Sequence, residues 1–469
     1  MASTYLSRTQ STPTNAKKWT ISYWGKYNLT NSDWYPTFGC DYDGGDSYFG
    51  IGSGGQGRNE IGLLEYHTSA TNYGQGYTAS SLRDSSAWYH IVFAYDSTQS
   101  TASDRGKTYI NGVQQTNTYS PDIPQNHDSR FNMSGSAISI GRRSAGSGQY
   151  MDGILSHFHF IDGTAYDASA FGETDSTTGI WKAKTAPSVT YGTNGFFLKF
   201  ENSGAFGTDS SGNGNNFTVN GTMTQTVDTP SNVFATLNAL ANNGSGTLAY
   251  GNTEISASGT VNFVGTTGTL GFNKGKYYWE MKVFRPSGTL YVFPGVTCTP
   301  NLNFVSVDRN EIASYRTETQ GHTYQFASNG AEYYYNDTTL SYPHSSFSNG
   351  DIVSIAMDAD NNKLYLGING TWQNSGDPTS GATGTGAVST ISPDATVGSY
   401  TGSGYWIPCI NVYYESTTKS AHNFGNGYFG TTAVSSAENP DDGIGIFEYD
   451  VPTGYKALCT KSINAQEYS

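Results

Sequence analysis

Three acids alternate with glycine and aromatic residues in CDYDGGDSYFG, where Asp41, Asp43 and Asp46 have the pattern of an oxygen-ligand loop for a hard cation such as calcium. No bidentate Glu follows at the twelfth position, so this is not an EF-hand, and an Asx-type turn accounts for the same residues. Retaining glycoside hydrolysis would need two carboxylates roughly 5 Å apart, which on a strand means alternating acids on one face. Glu173 and Asp175 have the first spacing of a Glu-x-Asp-x-x-Glu pattern, but Thr178 stands where the second Glu belongs, and GETDSTTGI reads as a loop. His157 and His159 in SHFHF lie two apart on one strand face without an identifiable third metal ligand, so packing within the sheet accounts for them. No residue is assigned a catalytic role, and the chain is read as a non-enzyme.

Recognition chemistry is better represented. A pyranose offers an apolar face that stacks on Trp or Tyr while nearby Asp and Asn take its hydroxyls. The candidates for ligand binding are Trp34 and Tyr35 in the polar NSDWYP stretch, Tyr42 beside the acids, and Trp372 just after an Asn-Gly pair. Trp19, Trp24, Trp88 and Trp279 sit in strand patterns and are expected to be structural.

The elements that must position these residues are strands. Charged residues make up only 13% of the 469 residues, and 57 Gly, 35 Tyr and 23 Phe suit short pleated segments joined by turns. An aromatic content of 14% argues against disorder. At ~100–200 residues per domain the length favours two or three domains. A net charge of −14, with no basic cluster interleaved with aromatics, excludes phosphate-backbone binding. The N-terminal MASTYLSRTQSTPTNAKKW lacks the apolar stretch of a signal peptide, and no run of about 18 apolar residues could span a bilayer. Cys40, Cys298, Cys409 and Cys459 are scattered without CxxC spacing and read as buried free thiols. GSGGQG at 52–57 is glycine-rich without being a Walker loop.

Two stretches share one design. In WYHIVFAYDSTQSTASDRGKTYINGV, from Trp88, and DIVSIAMDADNNKLYLGINGTW, from Asp351, two alternating strands are joined by an Asp-led turn and end in Asn-Gly, which supplies the positive φ angles of a tight hairpin. The ordered set WTISYW, WYHIVFAYD, KTYINGVQ, ISIGRR and MDGILSHFHFIDGTAY, over Trp19 to Trp181, resembles LamG-like members of the concanavalin A-like lectin/glucanase superfamily. That resemblance implies a jelly-roll sandwich, and calcium in some members. FFLKFENSGAFGTDSSGNGNNFTVNG looks like the opening of such domains displaced to their end; it is read as a strand completing the same sandwich, or alternatively as a packed linker.

GKYYWEMKV, the Asp351 hairpin and HNFGNGYFG, between Phe263 and Phe429, resemble a SPRY domain, which implies a binding module using loops at one sandwich edge. Asp377 to Ser403 reads as an inserted loop. The expected organisation is all-β: a jelly-roll domain over 1–228, a linker over 229–246, a SPRY-like sandwich over 247–435 and a short C-terminal tail over 436–469. Taken with both modules, the tail GIFEYDVPTGYKALCTKSIN looks like virion structural proteins of tailed bacteriophages. This implies an external appendage, a tail fibre, tail tip or capsid-surface fibre or knob, located in the virion after synthesis in the host cytoplasm. Its expected partners are other virion proteins and host-surface polysaccharide or protein, with no nucleic acid and no membrane insertion. Fibre tips are often trimeric, so a homo-oligomer, a trimer included, fits the reading. No cofactor is expected beyond the calcium alternative at Asp41, Asp43 and Asp46. The other readings are a structural decoration or adaptor and, less favoured, a polysaccharide-degrading enzyme.

Overall fold

The computed structural model describes residues 4–29, 35–51, 59–67, 71–143, 148–176, 179–241, 246–257, 263–285, 292–298, 322–330, 332–335, 338–397, 400–413 and 418–467. The chain divides into two compact units, Met1–Gln225 and Thr226–Ser469. The glycine-rich 52–57 stretch lies outside the described residues.

Unit one is a sandwich of two antiparallel sheets. One runs, from edge to edge, through Phe196–Leu198, Gly153–Asp162, Lys18–Tyr27, Tyr89–Asp96, Gly106–Ile110 and Val113–Gln114. The other has Asn117–Tyr119 at one edge and Thr218–Asn220, paired with Tyr5–Thr9, at the other. Alternation assigns the faces: Trp19, Ile21 and Tyr23 enter the core with Phe38, Phe93, Phe158 and Phe160, while Ser22 and Trp24 turn outward. The displaced piece behaves as a completing strand, since Phe196–Leu198 and Thr218–Asn220 close one edge of each sheet. Asp209 fixes the turn between them by accepting from the amides of Phe197, Ser211 and Asn215 at 2.8–2.9 Å.

Unit two repeats the plan. One sheet contains, in order, Gly246–Ala249, Glu254–Ala257, Lys419–Asn423, Lys276–Phe284, Ile352–Asp358, Lys363–Ile368 and Thr371–Trp372, and the other is centred on Ile407–Tyr413 and Val292–Thr297. Tyr277, Trp279, Met281, Ile355 and Leu366 fill the space between them. The 229–246 stretch expected as a linker sends Ala235 and Leu237 into this core, and Phe234 bridges to Cys459. The expected tail is likewise built in. Lys456–Ala457 pairs in parallel with the Lys276–Phe284 strand, and Tyr455, Leu458 and Cys459 are buried ahead of a short helix, Thr460–Glu467. Their apolar residues anchor both stretches in unit two, whereas the small polar residues of 229–246 had marked that stretch as a connection.

All four cysteines are buried free thiols. Among the described residues no helix is long and apolar enough to cross a membrane. Glu173 and Asp175 do not sit in a plain loop: Gly172–Thr174 pairs with Trp181–Ala183, and Lys182 Nζ lies 3.6 Å from Glu173 and 3.0 Å from Asp175. The SHFHF strand is also less regular than its alternation implies. Its register shifts between Ser156 and His159, and His157 takes a φ of 48°. His159 stacks on Phe197 at 3.9 Å and hydrogen-bonds the Tyr191 hydroxyl at 2.9 Å, so packing absorbs it.

Candidate binding site

In unit two, Asn369 and Gly370 take φ angles of 47° and 78°, the left-handed pair of a type I′ turn. Asn369 secures the turn through its side chain, accepting from the Ile352 amide at 2.9 Å and donating to Asp351 at 2.8 Å. The hairpin thus returns Trp372 directly opposite Gly367. Because alternate residues face opposite sides, the strands present an outward row in which Glu280 faces Ser354, Ser354 faces Gly367, and Gly367 faces Trp372. Gly367 lets the Trp372 ring lie close over the strand; a Cβ there would stand 3.1 Å from Ser354 Cβ and 3.4 Å from that ring.

The stretch from 439 to 453 folds over this face. Glu280, fully buried, holds it: the amides of Glu448 and Tyr449 donate to the two carboxylate oxygens at 2.8 and 2.9 Å, and the Tyr278 hydroxyl donates at 2.8 Å. Burial pushes the Glu280 carboxyl up to about 7, against these hydrogen bonds, which favour its charged form. Tyr449 lies on the hairpin, its ring 2.7 Å from where a Cβ on Gly370 would stand.

Between the sheet and this stretch is a cavity of about 590 Å³. Tyr278, Trp372 and Tyr449 line it, with Gly367, Gly370 and Gly376 between them, and Asp377, Asp441 and Asp450 also face it. Asp377 caps a short turn, accepting from Thr379 N at 2.9 Å and Thr379 Oγ1 at 2.6 Å, bonds that hold its pKa below the usual value. Asp441 accepts from Gly454 N at 3.0 Å. Among the described residues no cation pairs with any of these three acids, and Lys456 is engaged by Asp442 at 3.5 Å. An aromatic wall, a glycine floor and carboxylate acceptors form a surface for a flat, hydroxyl- or amine-bearing ligand.

Of the residues singled out in the sequence, only Trp372 belongs to this cavity. Trp34 and the side chain of Tyr35 lie outside the described residues. Tyr42, in unit one, carries the Arg130 guanidinium 5.4 Å from its ring centre, and Arg130 Nη1 donates to its carbonyl at 2.6 Å. Asp41, Asp43 and Asp46 form a hairpin instead of a cage. Asp43 and Gly44 are the turn, with φ of 49° and 65°, Asp41 faces Asp46 across it, and Arg143 Nε meets Asp46 at 2.6 Å. Among the described residues no three His, Cys, Asp or Glu gather as a metal site.

Glu280, Gly367, Tyr449 and the three cavity acids were missed in the sequence. An acid on the outward beat of KYYWEMKV and a lone glycine inside LYLGI were the available signals, since a strand glycine marks close approach of another group.

The matching face of unit one is closed. His90 is sandwiched there: Trp181 Nε1 donates to its Nδ1 at 2.9 Å, Ser22 Oγ lies 2.9 Å from its Nε2, and Trp24 stacks at 4.9 Å. Burial lowers its pKa to about 3, so the ring is neutral.

The chain is an all-β protein of antiparallel sandwich domains. A family model described as the concanavalin A-like lectin/glucanases superfamily matches residues 2–169. Among solved structures, the chain is similar to the SPRY domain of human HERC1, at 16% identity over 36% of this chain and 87% of that one, with a TM-score of 0.25. It is also similar to the TRIM65 PSpry domain, at 10% identity over 40% and 89%, with a TM-score of 0.27. No curated protein sequence matches the chain.

Proposed function

We propose that the protein is a non-catalytic recognition component of a tailed-bacteriophage particle, an external appendage such as a tail fibre, tail tip or capsid-surface knob, and that its second sandwich binds host-surface glycan. The observation that carries this reading is the cavity of about 590 Å³ in which Trp372 stands over a glycine floor beside Tyr449. Such a wall accepts the apolar face of a sugar ring, and the neighbouring aspartates accept its hydroxyls. The lectin-like match of residues 2–169 supports a recognition role. The virion assignment is supported by the YDVPTGYKALCTKSIN stretch, whose first residues wall the cavity. In a particle the chain docks on other virion proteins, and a homo-oligomer such as a trimer presents several cavities at once, multiplying weak single-site affinities.

The test is binding of the purified protein to candidate host cells before and after enzymatic removal of surface polysaccharide, with Trp372→Ala in parallel. Saturable binding lost on stripping and lost in the variant is expected. Binding that survives stripping would assign a protein receptor. Absence of binding to every permissive host would overturn host recognition in favour of a decoration or adaptor role within the particle.

A further inference from the structure

Resting on that glycan reading, we infer that the cavity on the outer face of the second sandwich selects a sugar bearing a protonated amine over neutral or acidic sugars. The argument is electrostatic. Asp377, Asp441 and Asp450 line one cavity that, among the described residues, no Lys, Arg or His lines. Among the described residues none of the three acids has an ion-pair partner. Each of the first two spends one carboxylate oxygen on a local turn, Asp377 Oδ1 on Thr379 and Asp441 Oδ2 on Gly454 N, leaving acceptor capacity for a ligand. A neutral sugar would satisfy carboxylates by hydroxyl donation alone. An ammonium adds charge-assisted bonds to the same oxygens and gains further from the faces of Trp372 and Tyr449, whose π-electrons attract cations. A uronic or other acidic sugar meets three like charges, and the chain's net charge of −14 opposes its approach.

The shape supports a sugar over an isolated side chain. About 590 Å³ exceeds what a single lysine tip needs and accommodates linked rings, and Gly367 and Gly370 let the Trp372 and Tyr449 rings lie close against the hairpin beside that space.

The experiment is calorimetric titration of the full chain with three probes: an unacetylated glucosamine hexasaccharide, its fully N-acetylated counterpart, and a hexalysine peptide. The expected result is saturable binding of the unacetylated sugar, about tenfold or more tighter than the acetylated one, and weakened by added salt. Trp372→Ala abolishes it, and Asp450→Asn, at an exposed position that leaves the fold intact, weakens it severalfold. Equal affinity for both sugars, or indifference to Asp450→Asn together with Asp377→Asn, would overturn amine selection while leaving glycan recognition standing. Binding of hexalysine without either sugar would move the cavity to peptide recognition and overturn the inference. If no probe binds, the inference fails, and the cell-binding assay decides separately whether glycan recognition survives.

Discussion

The two sandwiches carry the same hairpin and put it to different ends. In unit one Asn111 and Gly112 take φ of 48° and 82°, matching Asn369 and Gly370 in unit two. Asn111 accepts from the His90 amide at 2.8 Å as Asn369 does from Ile352 at 2.9 Å. A late aromatic covers each glycine, with Trp181 or Tyr449 ring atoms 2.7 Å from the missing Cβ. Counting inward from these turns, the outward row of unit one reads His159, Ser22, Val92, Tyr109, Gln114, and that of unit two reads Asn423, Glu280, Ser354, Gly367, Trp372. Val92 and Tyr109 build a small apolar layer with Phe171 and Trp181, which seals the first face. Ser354 accepts from the Tyr278 hydroxyl at 2.9 Å and Gly367 carries the Trp372 ring, so a cavity remains beside this row, while Tyr278, Ala356 and Tyr365 on the same strands pack with Phe447, Val451 and Tyr455. Matching hairpins therefore border an apolar layer in one unit and a cavity in the other, and the rows differ where Val92 and Tyr109 are replaced by Ser354 and Gly367.

The most damaging test of this equivalence is Gly112→Val and Gly370→Val, made separately. Each places a β-branched residue at positive φ against an aromatic ring, combining roughly 1–2 kcal/mol of left-handed strain with roughly 1–3 kcal/mol of overpacking. Chemical denaturation should show a comparable loss for both. A loss at only one position would mean that the hairpins are alike in form but not in packing.

Glu280→Ala comes next. It strips the amides of Glu448 and Tyr449 of their acceptor and opens a buried gap, at a cost of roughly 2–4 kcal/mol, whereas Ser22→Ala at the matching position removes one neutral hydrogen bond worth about 1 kcal/mol. Hydrogen exchange at 448 and 449 should accelerate in Glu280→Ala. Unchanged protection there would show that the cavity wall is held by something other than this carboxylate.

The pH responses should separate in the same way. The Glu280 carboxyl, raised from 4.5 to about 7, binds a proton more tightly folded than unfolded. Its contribution is fully present below pH 4.5 and is lost as pH rises through 7, an effect of ~3 kcal/mol at ~1.4 kcal/mol per unit. His90, lowered to about 3, works oppositely: its contribution is present above pH 6.5 and lost as pH falls toward 3. Buried His422 in unit two shares that acid sensitivity, so the comparison must be against Glu280→Gln, which keeps His422 and removes the carboxyl. Stability of the wild type relative to Glu280→Gln should decline between pH 4.5 and 7. Parallel pH profiles would sink the assignment.

Filling the gap in the row should affect recognition more than folding. Gly367→Tyr copies Tyr109 of unit one and, since a Cβ there would already stand 3.1 Å from Ser354 Cβ and 3.4 Å from the Trp372 ring, displaces that ring; cell binding about tenfold or more weaker, with an unchanged circular dichroism spectrum, would show that the bare glycine makes the site. Unaltered binding would place recognition elsewhere.

Why some of this was legible in the sequence and some was not follows from the range of the interactions. WTISYW, the paired Asn-Gly turns and the alternation of DIVSIAMD are local signals, and each marked its strand or hairpin. Trp372 was legible because a turn two residues earlier fixes where it points. The bulge at His157 was not, since one extra residue leaves composition unchanged. The grip of Glu280 on Glu448 and Tyr449 joins positions far apart in the chain, and neither end marks the other. The stretch around Phe234 and Leu237 looked like a connection because polar residues surround the few apolar ones that enter the core.

The smallest expected effect lies at the acids that first drew notice. Asp46 is an exposed-rim counterpart to Glu280: one carboxylate meets a guanidinium at 2.6 Å with both side chains more than a quarter exposed, and the other is enclosed with only hydrogen-bond donors around it. Solvent screens the first pair only in part, since Arg143 Nε is itself buried, so Asp46→Asn should cost about 1 kcal/mol, and less at high salt. Thermal denaturation at two ionic strengths reads this directly. A loss several times larger, insensitive to salt, would mean that the Asp43–Gly44 hairpin depends on Asp46 as unit two depends on Glu280, and that partial exposure is a poor guide to what a carboxylate contributes in these sandwiches.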